Sequence, residues 1–155
     1  MIENLDTNAI LVKLEERKKE HKQTYDEVEF LQNQQYEIIQ ALLEKMRPVF
    51  EWYDNNRLVF THPSIKLKSN SGPILGYVES EHQAIVYNVG EKRVEKVYLQ
   101  SNSDTKKYLL YNLVRDGHFK EAYDGLMYLP NMINEYIDNN KRVIQKLKAD
   151  VEEII

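Results

Sequence analysis

Cysteine is absent from this chain. That excludes a disulfide framework and any thiolate zinc site. Long apolar runs are also missing: none approaches the roughly 20 residues that cross a bilayer, so no membrane contact is expected. The opening Met1 to Asp6 has neither the basic start nor the apolar stretch of a secretory leader. With the lack of cysteine, this favours a cytoplasmic protein. There is no glycine-rich phosphate loop and no serine set between glycines. The four histidines, His21, His62, His82 and His118, are scattered, and no two stand three or four apart as metal ligands on a helix do. His62 precedes Pro63 at a predicted strand end, where meeting His82 or Glu81 across a sheet would make a metal or acid–base site. Surface or turn positions explain these histidines more simply. The carboxylates Asp26, Glu27, Glu29, Glu37 and Glu44 mostly occupy a polar helix face, and no pair is set in apolar surroundings that would shift its pKa. The chain therefore reads as no enzyme, with no cofactor and no metal.

What is present is hydrophobic patterning and charge. Hydrophobic residues make up 42% and charged ones 30% of the 155 residues, enough for one globular domain with long exposed helices. The net charge of −4 argues against a dedicated nucleic-acid binder. Residues 1–53 and 118–155 are net acidic, while 54–117 are mildly basic.

The chain is organised around residues 6–53. Leu11, Leu14, Tyr25, Val28, Ile39, Leu42, Met46, Val49 and Tyr53 recur at helical steps, with Pro48 the only proline and no glycine. Asp6 or Thr7 would cap the start. Glu15 to Gln23 reads as a solvated stretch, and Pro48 should kink or end the helix. Residues 57–99 read as an antiparallel β-meander: Arg57–His62, Ser64–Lys68, Ile74–Glu79, Gln83–Val89 and Arg93–Leu99. Residues 103–128 read as a helical hairpin started at Ser101–Asp104 and turned at Gly117, with Pro130 at its end or at the start of the next helix. Residues 131–155 form the cleanest pattern: Ile133, Ile137, Asn140, Ile144, Leu147, Val151 and Ile154 alternate steps of four and three. That is a coiled-coil seam with one polar member, which would fix register or partner number. The expected fold is α+β in a single domain. The long N-terminal helix packs antiparallel on the C-terminal heptad helix, docking over Tyr25–Met46, with the meander and hairpin between.

Two helices flanking β-hairpins resemble the plan of prefoldin subunits, from which the central helical hairpin departs. Gly117-His-Phe-Lys-Glu-Ala122 is similar to the turn of a tetratricopeptide-type hairpin, present here once where such repeats need about three copies to bury a core. Neither resemblance carries functional residues over.

Uncovered apolar stripe on so long a helix points to a homodimer or higher oligomer. The tyrosines, 11 in number, suit interfaces. Trp52 and Tyr53 beside Pro48 are candidate partner contacts, as are Lys66, Lys68, Lys92, Arg93 and Lys96. The expected function is a helix-mediated oligomer acting on an unidentified protein partner, as an adaptor or a stoichiometric inhibitor or regulator of a larger assembly. Richness in Asn, Lys, Ile and Tyr is compatible with an AT-rich bacterial or phage genome. The alternative is a nucleic-acid-binding accessory protein using the basic, tyrosine-containing middle, with Lys106, Lys107, Tyr108 and Tyr111 extending it.

Overall fold

The computed structural model describes residues 2–98 and 105–155. After a short 3₁₀ turn at Ile2–Asn4, helix α1 runs from Thr7 to Lys45, about 58 Å at the standard rise. Asp6 caps it, its side chain accepting from the Ala9 N–H at 3.1 Å. The helix stops at Met46 because Pro48 has no N–H to offer the Glu44 carbonyl. Helix α2, Arg47–Asn55, starts there, with the Met46 carbonyl accepting from Val49 and Phe50. Pro48 thus falls in a first turn, where a backbone donor would go unpaired anyway.

The middle of the chain is β, as its alternation predicted. Strand β1, Phe60–Thr61, pairs antiparallel with β2, Lys68–Ser69. Strands β3 (Ile74–Val78), β4 (Gln83–Asn88), β5 (Arg93–Tyr98) and β6 (Thr105–Lys107) form a meander in chain order. Helix α3 spans Leu110–Arg115 and helix α4 spans Phe119–Ile154. Gly117 turns the chain between them at φ 86°, with the His118 N–H reaching the Leu113 carbonyl and the Gly117 N–H reaching Val114. Glycine takes that conformation without a Cβ penalty.

The α+β class holds. The predicted hairpin exists in shorter form. Its proposed start at Ser101–Asp104 lies outside the described residues, as does Leu99, and Thr105–Lys107 is strand rather than helix. Pro130 ends nothing: α4 runs through it.

The inner part of the sheet, centred on β4, is buried on both faces, while β6 is exposed. Leu75, Ile85, Tyr87 and Val94 join the helices' main core with Ile39, Met46, Phe50, Tyr53, Leu113, Leu126, Leu129 and Met132. Ile74, Ala84 and Val86 face the other way, covered by Ile65 and Leu67. Double-sided burial explains why Ala84 to Tyr87 is a continuous apolar run.

Long helices α1 and α4 meet in this core only through their inner portions. Every residue from Ile2 to Leu31 is exposed, and so is every residue from Ile137 to Ile155. The heptad helix was expected to dock over Tyr25–Met46, but only the inner end of that span is covered. Tyr25 and Val28 remain 63% and 53% exposed. The molecule is a compact head with two helical arms.

Candidate interaction surface

The seam on α4 continues the face that the head buries. Ala122, Leu126 and Leu129 are buried, and Ile133 is half-buried. Beyond them Ile137, Asn140, Ile144, Leu147, Val151 and Ile154 keep the same helical steps with no covering side chain among the described residues. Ile144, Leu147 and Val151 are each about half exposed: 49%, 57% and 55%. A helical side chain packed on a partner loses most of that area, so these residues stand as they would on an unaccompanied helix.

A second surface lies at the root of this arm. Pro48, Val49, Trp52, Tyr53, Leu129, Pro130 and Ile133 line an open, mostly apolar groove where α2 crosses α4. Trp52 is half exposed, its ring standing edge-on to Tyr53 at 5.1 Å. Tyr53 itself is 3% exposed. It is therefore corrected from a partner contact to a core residue. Its hydroxyl donates to the Leu129 carbonyl at 2.6 Å and accepts from the Ile133 N–H at 3.1 Å. Those two backbone groups are the pair an uninterrupted helix joins across Pro130. Sequence reasoning had no signal for this, since the hydroxyl comes from 76 residues away.

The basic candidates do not act as one patch. Arg93 Nε lies 2.8 Å from the buried Glu95 carboxylate, whose other oxygen accepts from Asn88. Lys96 Nζ lies 3.2 Å from Glu81 and over the Tyr108 ring. Lys66, Lys68 and Lys92 are exposed and enter none of the ion pairs among the described residues. The register pairs Lys96 with Lys106 and Glu95 with Lys107. Neighbouring residues of a strand point to opposite faces, so the two lysines of β6 are divided between them.

His62 does not meet His82 or Glu81. Its Nε2 lies 2.7 Å from the Glu121 carbonyl, which can only accept, so this nitrogen carries the proton. Nδ1 accepts from the N–H groups of Ser64 and Ile65. The imidazole is thus a cross-link between the β1–β2 connection and α4. It is packed so tightly that a β-carbon on Gly125 would stand 2.8 Å from its Cδ2. Glu81 is occupied by Lys96, and His82 is exposed at a left-handed turn. Among the described residues no three His, Asp or Glu side chains gather to hold a metal ion. Among them, too, no helix is long and apolar enough to cross a membrane.

No family model matches the chain, and neither a curated protein nor a solved structure matches it.

Proposed function

We propose that this chain is a non-enzymatic interaction protein that works as a helix-mediated oligomer. In this reading it serves as an adaptor, or as a stoichiometric inhibitor or regulator, of a larger protein assembly in the cytoplasm. The observation that carries the reading is the uncovered apolar seam on α4, Ile137 to Ile154, standing on a helix whose root is anchored in the core. Exposed apolar surface of that regularity marks an association site. A nucleic-acid accessory role would have to rest on Lys66, Lys68, Lys92, Lys106 and Lys107, because Arg93 and Lys96 already pair with carboxylates. The test is affinity purification from the native host with and without nuclease. A stoichiometric protein partner that survives nuclease supports the reading. Recovery of nucleic acid alone, or of nothing, overturns it.

A further inference from the structure

Resting on that oligomeric reading, we infer that the occupant of the α4 seam is the α4 arm of a second copy, running parallel in a two-stranded coiled coil. The steps of the seam assign Ile137, Ile144 and Val151 to the a positions and Ile133, Asn140, Leu147 and Ile154 to the d positions. Every a residue is β-branched, and the apolar d residues are Ile133, Leu147 and Ile154. The Leu147 layer, in the middle of the free seam, has the β-branched-a, leucine-d combination that favours two parallel strands.

Polar and charged positions select the direction. In a parallel pair each residue of the seam faces its own copy, so Asn140 meets Asn140 of the other strand and the two amides satisfy each other. In an antiparallel pair overlapping from Ile137 to Ile154, Asn140 falls opposite Val151 and is left without a partner, which is costly in an apolar seam. Antiparallel packing also brings flanking e residues together across the interface. Here those are Lys141 and Lys148, so two like-charge contacts arise. Parallel packing sets Tyr136 beside Lys141, Val143 beside Lys148 and Asp150 beside Ile155, with no repulsive pair. The α1 arm matches the seam less well. Its corresponding face alternates Leu11 and Leu14, then Lys18 and His21, then Tyr25 and Val28, so it would set a lysine and a histidine against apolar layers.

The free seam from Ile137 to Ile154 is only about 27 Å long, short for a coiled coil standing alone. Parallel pairing adds surface at its root. Both heads then lie at one end, and Ile133, the first seam residue, also lines the groove that holds Trp52.

The cysteine-free chain permits a direct test. Full-length Val151→Cys is oxidised at micromolar concentration, and separately an equimolar mixture of Asn140→Cys and Val151→Cys chains is oxidised. The inference expects Val151→Cys to convert mostly to covalent homodimer, and the mixture to give the two homodimers at least tenfold over the mixed species. Mixed dimer in excess, with little Val151 homodimer, overturns the parallel arrangement while leaving the oligomer intact. If light scattering on the unmodified chain gives a monomer, the oligomeric reading itself fails. Denaturing electrophoresis of each product separates these outcomes.

Discussion

The hydroxyl of Tyr53 stands between the Leu129 carbonyl and the Ile133 N–H, the two groups that α4 would join on the far side of Pro130. Proline takes away the Leu126 carbonyl's usual donor and its ring pushes that turn open. The tyrosine ring is held in place by its own core contacts, edge-on to Phe60 at 5.9 Å. One side chain of α2 therefore ties down the root of the C-terminal arm.

Removing that hydroxyl should be felt as lost hydrogen bonds rather than lost packing. Tyr53→Phe is expected to destabilise the protein by about 1–3 kcal/mol, because a buried carbonyl and a half-buried N–H lose a partner. The urea midpoint should fall with an unchanged slope. In a Pro130→Ala background the helix can pair its own groups more closely, and the cost of Tyr53→Phe should shrink. Equal costs in both backgrounds would mean that the hydroxyl does not compensate for the proline.

Glycines 125 and 117 should both lose stability on gaining a methyl group, for different reasons and by different amounts. At Gly125 a β-carbon would lie 2.4 Å from the Ile74 carbonyl oxygen, so Gly125→Ala must push α4 off the sheet. A loss of about 3 kcal/mol or more is expected, or failure to fold. Gly117 has φ 86° with open space around it, so Gly117→Ala carries only the left-handed backbone penalty, about 1 kcal/mol. Thermal unfolding of the two variants side by side measures the difference.

Two tyrosines should make the fold sensitive to alkali. Burial raises the Tyr108 phenol well above its ordinary pKa of about 10, and its hydrogen bond to the Asp116 carboxylate adds to this. Burial likewise raises Tyr136, whose hydroxyl donates to the Val59 carbonyl. A phenol with a raised folded pKa keeps its proton longer when folded. Its stabilising contribution is whole below about pH 10 and is lost as pH climbs through the folded value. Stability should therefore decline above pH 10. Ultraviolet titration should show Tyr108 and Tyr136 contributing to a late phase above the ordinary phenol range. Substituting phenylalanine at both positions should reduce that late phase by their two phenols.

Substitutions on the exposed seam should separate association from folding. Leu147→Glu lies far from the head core, so its near-ultraviolet circular dichroism should match that of the unmodified chain diluted until it dissociates. In the unmodified chain the unfolding midpoint should rise with protein concentration, as association stabilises the folded state. Leu147→Glu should abolish that dependence. The fluorescence of Trp52, the chain's one tryptophan, should shift to the red on dilution of the unmodified chain and not of the variant.

Local chemistry made much of this fold legible. Asp6 caps, Pro48 breaks the first long helix, Gly117 turns the hairpin, and Glu15–Gln23 is solvated, each for reasons contained within a few residues. Strands β3, β4 and β5 fall within a residue or so of their expected limits because alternation and turn residues agree, whereas Arg57–His62 and Ser64–Lys68 shrink to the two-residue strands β1 and β2 of a separate sheet. The failures have long-range causes. Pro130 reads as a stop because nothing nearby tells of Tyr53. His62 reads as a surface or turn residue, yet it is buried, because its partner Glu121 and its close neighbour Gly125 come from the other end of the chain. Thr105–Lys107 reads as the first turn of a helix because its pairing with Glu95–Val97 is set by the neighbouring strand. For the site, the heptad steps were visible in full. That the arm would leave the head uncovered was not, since periodicity says which face is apolar and not what covers it.

Sedimentation velocity of the full chain across low to high micromolar concentration tests the central claim most directly. The account predicts a species of twice the 18.5 kDa chain mass that dissociates on dilution and is lost in Leu147→Glu. A single 18.5 kDa species throughout that range would contradict it.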